Sequence, residues 1–491
     1  MASKEKLKNK VGAGALTALV VGGTIGSGIF GLPSTMTKNG NPKAIIIGWI
    51  IVGIGMFALA GVYRDLTMQQ PEIDDGIYGW AKGIFGDLGG FFANYGHGVG
   101  DAVGDTSYLV VIFSALGAFG VFGFFGDGTT WWSVLVASIL LWLLTWLVLR
   151  GVKSSTLMND ITTIAKIIPI VVFIVLAILN FNPHIFMAHW ASTSIYVPAS
   201  HTTAAHWTHE SVFAQSKAVL LSAMWCLVGI ESGTIYATRA RKTSDVAKAT
   251  TIGSIIVIIV LVGTAVLSLG LMAPSRISQL HDPSMAGLMA HMTGPWGSWL
   301  IDICLIVSVV GALLAWISLC SEELRLPSRG GSATKWLNQL NGEEIPKNAV
   351  LTTSCITEAL LLVAGFSSAG YETMLEFATS LDCVPYLMVS LYACKSVIKG
   401  IGFRNRSRGE RVRTGVLAAL STLFTAFMVY GAGLQYLLLT AVVWLTGFWF
   451  YWKGRQEQGK RMGAGEWSTW IIVAVLAVLG IIGLCTRTMG F

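Results

Sequence analysis

The chain has 491 residues, of which 54% are hydrophobic and only 12% charged, and it carries a formal net charge of +7. With a mean hydropathy of +0.66, that balance excludes an ordinary water-soluble domain and places the chain in a bilayer.

In chain order, "MASKEKLKNK" resembles the basic start of a signal peptide. The apolar stretch after it is long and ends without a small-residue cleavage site, so it reads as a retained first span. A helix crossing the hydrocarbon core needs about 20 mostly apolar residues. Thirteen such windows follow, near 12–37, 44–64, 86–121, 130–150, 155–181, 216–238, 250–272, 296–324, 348–366, 373–398, 413–432, 434–452 and 467–486. A β-barrel would alternate apolar and polar residues, whereas "IIIGWIIVGIGMFALAGVY" is continuously apolar. The fold class is therefore an all-α polytopic membrane protein.

Lys and Arg set the orientation, because cytoplasmic loops hold the excess of positive charge. A cytoplasmic N-terminus puts most of the 33 basic residues inside, leaving Lys38, Lys43, Lys217, Arg276 and Arg487 outside. The basic loop "KSVIKGIGFRNRSRGERVR" is thus explained by topology, and no nucleic-acid partner is expected. All seven cysteines lie in or at the edge of apolar windows with no zinc spacing, so neither disulfides nor a metal are expected. Five of the eight histidines fall in the loop 182–215 without a ligand motif. No cofactor is expected either, and neither HExxH, GxSxG nor a phosphate loop points to an enzyme.

The first window contains "VGGTIGSGIFGLP", with five glycines. Unwound backbone survives at membrane depth only when buried in protein or lining a wet cavity. Five windows later the interruption returns in "AMWCLVGIESGTIY". An odd offset means that the two broken spans run in opposite directions, which is the mark of an inverted-repeat secondary transporter with its site at the bilayer midplane. Free N–H groups at residues 26–28 attract a carboxylate, and free carbonyls around Trp225, Cys226 and Val228 accept from an ammonium. Together they describe a site for an α-amino acid.

"GTIGSGIFGLP", "WCLVGIES" followed by "RARKTSDVAKAT", "GALLAW" and "VPYL" resemble the amino acid/polyamine/organocation (APC) superfamily, and within it the basic amino acid/polyamine antiporters. The resemblance runs over about residues 10 to 455. It implies a LeuT-type fold with a 5+5 inverted repeat, broken helices 1 and 6 and two or three extra C-terminal helices. The expected division is a first repeat over 1–181, an extracellular loop over 182–215, a second repeat over 216–398 and additional helices over 399–491. The resemblance also implies that Ser27 and Gly28 meet the substrate carboxylate, that Trp225 stacks on the substrate, that Glu231 is a gating carboxylate, and that Trp316 forms part of the gate or wall. Lys166, in "TTIAKIIPI", matches the place where sodium binds in sodium-driven relatives, which implies sodium-independent exchange.

The chain departs from the family in "YGHGVGDAVGDTSY", where His97, Asp101 and Asp105 stand at i, i+4 and i+8 on one helical face. Each aspartate at membrane depth costs about 2.5–3.5 kcal/mol unless it faces a cavity or a cation. Asp382, in "TSLDCVPYL", adds a third acid where relatives carry small uncharged residues. The expected substrate is cationic, exchanged as an amino acid against its amine product. Histidine/histamine is the favoured pair. Arginine/ornithine exchange, lysine/cadaverine exchange and a proton-coupled permease are the alternatives. The expected setting is the cell membrane, with the lipid bilayer as partner and homodimerisation left open.

Overall fold

The computed structural model describes residues 12–486 apart from 74, 152–155, 199–203, 230–241, 368–369 and 405. The helices that frame the site and the bundle are α1 (Ala13–Thr24), α2 (Gly28–Asn39), α3 (Pro42–Gln69), α4 (Gly76–Gly117), α5 (Trp131–Leu149), α6 (Thr156–Asn180), α7 (Leu220–Trp225), α8 (Thr243–Ser268), α9 (Ser284–Thr293), α10 (Pro295–Arg329), α11 (Lys347–Ser367), α12 (Tyr371–Lys399), α13 (Arg408–Thr446), α14 (Phe448–Glu457) and α15 (Ala464–Cys485). Strand pairing among the described residues is confined to a short hairpin, β1 (Ser194–Val197) antiparallel to β2 (His206–His209), within the long polar loop.

Among the described residues ten helices are long and apolar enough to cross a membrane, and α1 with α2, bent by 45°, makes an eleventh if the pair is one span. The sequence windows at 413–432 and 434–452 correspond to a single helical run, Arg408–Glu457. The run bends at Gly433, whose φ of 77° lies in the left-handed region that glycine enters without steric cost. The window at 216–238 is described only as far as residue 229. The third window begins earlier than hydropathy indicates, because α4 continues back through a kink at Gly86 to Gly76.

Helix α4 is the axis of the molecule, enclosed on nearly all sides and packed along its length by α10 and α12. Lipid tails give apolar helices no hydrophobic reason to associate, so close approach through small residues and buried polar contacts must hold them. The glycine-rich face of α4 supplies that approach. The outward faces carry exposed Ile139, Leu143 and Trp146 on α5 and Ile471, Val475 and Val478 on α15, as expected for surfaces solvated by lipid.

Polar ties secure the two ends. At one end Ser34 of α2 donates to Asp282 at 3.0 Å, and Lys38 pairs with Glu372 of α12 at 2.9 Å. At the other, buried Asp65 of α3 accepts from Arg64 at 2.9 Å, Arg413 at 3.0 Å and Thr414 at 2.7 Å. Both ties join helices distant in sequence.

Candidate functional site

The break between α1 and α2 and the C-terminal end of α7 meet at one cavity. Helix α1 stops at Thr24, Ile25 turns out of helical geometry (φ −72°, ψ 94°), and α2 restarts at Gly28. The first N–H groups of α2 therefore lack partners within their own helix, and Gly26, Gly28 and Ile29 line the cavity. Opposite them, α7 ends at Trp225, and a tight turn in which Leu227 and Val228 donate to the Met224 carbonyl leads to Gly229 at φ +92°. Trp225, Cys226, Val228 and Trp316 complete the apolar wall of this cavity.

Two close approaches shape this wall. A Cβ at Gly104 would lie 2.6 Å from the Trp225 indole, and one at Gly26 would lie 2.6 Å from the Tyr108 hydroxyl. Any larger residue at 104 would displace the indole from α4.

The acidic side is built on α4. Asp101 and Asp105 both line the cavity and are 4% and 2% exposed. Asp105 accepts from the Cys320 thiol of α10 at 3.6 Å, and Asp101 Oδ2 has no hydrogen-bond partner. The acidic face read from the i, i+4, i+8 spacing thus forms, with His97 as its third member. Asp382 lies behind it: fully buried, at 2.6 Å from His97 Nδ1, and outside the cavity lining.

The remaining expected residues are placed as follows. Ser27 precedes α2, but its hydroxyl shares a hydrogen bond of 3.0 Å with Tyr371 of α12, so the side chain braces the break while Gly28 faces the cavity. Lys166 of α6 donates to the Gly22 carbonyl at 2.8 Å. It satisfies one of the carbonyls orphaned where α1 ends, with a positive charge at the negative end of the helix. Glu231 lies outside the described residues.

Glu323 and Tyr371 escaped the sequence reading. Glu323 of α10 approaches His97 Nε2 at 3.6 Å, and it stands seven residues, about two turns, beyond Trp316. That spacing was the available signal, hidden because "SEELRLP" reads as a polar helix end. His97, Asp101 and Glu323 bring donor atoms within 4.8 Å of one another, a spacing that suits a proton or a small cation.

Residues 13–434 match the family model described as amino acid permease. The chain is 36% identical to an arginine/ornithine antiporter of Pseudomonas aeruginosa, over 94% of both chains. It is 31% identical to an arginine/ornithine antiporter of Latilactobacillus sakei, over 98% of both. An L-lysine transport protein of Corynebacterium glutamicum is 30% identical over 96% of this chain and 95% of its own. With the break between α1 and α2 and the end of α7 at one cavity and this match over most of its length, the chain belongs to the amino acid permease family of the APC superfamily, has the LeuT-type fold that family implies, and is an amino acid transporter rather than an enzyme.

Proposed function

We propose that the chain exchanges arginine for ornithine across the cell membrane, one molecule for one, without sodium. The observation that carries this reading is the two-ended cavity. Backbone N–H groups at the break before α2 suit the α-carboxylate, and Asp101 and Asp105 on α4 suit a cationic side chain. Trp225 supplies an aromatic face for the aliphatic stem, the carbonyls around Cys226 and Val228 take the α-ammonium, and Trp316 closes the wall. Histidine/histamine, favoured from the sequence alone, gives way because the relatives named above act on arginine, ornithine and lysine.

In this reading residues 1–181 and 216–398 are the inverted repeats, the N-terminus is cytoplasmic, Glu231 is a gating carboxylate, and Lys166 takes the place of a coupling sodium. Proteoliposomes loaded with ornithine should take up labelled arginine, while empty liposomes should take up almost none. Histamine-loaded and cadaverine-loaded vesicles should drive little uptake. Equal uptake into empty and loaded vesicles would replace exchange by a permease mechanism.

A further inference from the structure

Transport of a cation accounts for Asp101 and Asp105 but leaves unexplained why three more ionisable groups crowd the same turn. His97 Nδ1 lies 2.6 Å from Asp382 and Nε2 lies 3.6 Å from Glu323. Asp101 completes the group from one turn along α4. The other groups facing it are Asp105 and Cys320 at the cavity side, Tyr108 in the cavity wall, and the Tyr386 ring of α12 at 5.9 Å from the imidazole. Among the described residues no Lys or Arg forms an ion pair with His97, Asp101 or Glu323, and Lys166 is engaged with the Gly22 carbonyl.

The shorter of the two contacts of His97 goes to Asp382. Asp101 and Glu323 are then two carboxyls side by side where the low dielectric amplifies repulsion. Asp101 Oδ2 and Glu323 Oε2 are both sealed from solvent and without hydrogen-bond partners. Carboxyl pairs in that situation hold one proton between them.

We propose that Asp101 and Glu323 share a resident proton, which is released when the cationic side chain of the substrate enters the cavity. This rests on the reading that the substrate is a cationic amino acid. The exchange balances: an O–H bond of the carboxyl pair breaks, the proton passes to water, and the incoming cation takes over the charge it neutralised. A neutral amino acid brings no such charge and leaves the proton in place, so the pair also discriminates against neutral substrates. Protons and substrate compete, and apparent affinity for arginine rises with pH.

Two measurements separate this proposal from the transport reading. In weakly buffered detergent solution with a pH indicator, saturating arginine or ornithine should release about one proton per bound molecule from wild type and nearly none from Glu323→Gln, with binding followed in parallel by labelled ligand. Infrared spectra of the ligand-free protein should show a protonated-carboxyl stretch that both Glu323→Gln and Asp101→Asn remove, whatever the substrate is. Should Glu323→Gln fail to fold, Asp101→Asn carries the same comparison. Arginine binding without proton release overturns the proposal and leaves the transport reading intact. A carboxyl band lost in the variants, with no basic amino acid bound, supports the resident proton and removes the substrate assignment. A stoichiometric metal ion in the purified protein overturns it.

Discussion

Asp105 is the most exacting test of the acidic wall, because its contact from the neighbouring helix is a thiol, a weak donor, at 3.6 Å. In the proposed reading, an acidic side chain so lightly held within the protein finds its partner in the ligand. Losing one side of a buried charged contact costs about 2–5 kcal/mol. Asp105→Asn should therefore weaken arginine and ornithine binding by about 30-fold or more while the protein folds normally. Unaltered affinity in a scintillation-proximity assay would remove Asp105 from the substrate site. Lys166 makes a second, separable case. Its hydrogen bond to Gly22 holds the end of α1, so Lys166→Met should lower the melting temperature in detergent, and wild-type exchange should run equally in sodium and in potassium buffer. A sodium requirement would mean that the ammonium does not stand in for an ion. Asp101, Asp105 and Lys166 were legible because a charge in an apolar run is conspicuous. Glu323 was not, since a carboxylate near a helix end is ordinary and only the approach of α4 makes it a buried neighbour of His97.

At the scale of elements, the sequence shows where helices break but not how the broken pieces are tied. "GTIGSG" locates the interruption, whereas the contact of Ser27 with Tyr371 and that of Lys38 with Glu372 depend on the start of α12, more than 300 residues away. The join at Gly433 was missed for a related reason: two apolar windows flanking a glycine look the same whether the glycine ends a span or bends one. Because α2 belongs to the interrupted pair, the tie of Lys38 to Glu372 is placed to act as a latch on that side of the cavity. Glu372→Gln, in a background where Cys226 is the sole cysteine, should speed Cys226 modification by an impermeant thiol reagent applied from the side bearing Lys38. An unchanged rate would show that the ion pair does not restrain opening. Asp282 adds a pH term to the same latch. Its burial pushes the carboxyl up to about 6 despite the pull of Lys38. The native state thus holds this proton more tightly than the unfolded chain, and the stability it contributes is complete below about pH 4 and is lost as the pH rises through 6. Thermal unfolding across that window should show the slope in wild type and a flatter profile in Asp282→Asn.

For the whole molecule, the question is what one turnover carries across the bilayer. Composition and hydropathy disclosed a helical membrane protein, and the glycine-rich interruption in the first span disclosed where α1 and α2 part. The exchanged pair was not legible, because one acidic wall serves guanidinium, ammonium and imidazolium alike. Charge distinguishes these pairs where the cavity does not. Arginine and ornithine each carry one net positive charge at neutral pH, so one-for-one exchange moves none. Lysine against cadaverine, or histidine against histamine, moves one positive charge outward per cycle, because the amine has lost its carboxylate. Moving one charge through 100 mV is worth about 2.3 kcal/mol, enough to alter an electrogenic cycle by more than an order of magnitude. The resident proton on Asp101 and Glu323 leaves and returns on the same side as each substrate, so it adds nothing to the transfer of a full cycle. Arginine uptake into ornithine-loaded proteoliposomes should accordingly be indifferent to a potassium gradient with valinomycin, in either polarity. A rate that follows the imposed potential would exclude electroneutral arginine/ornithine exchange and direct attention to a precursor/amine pair.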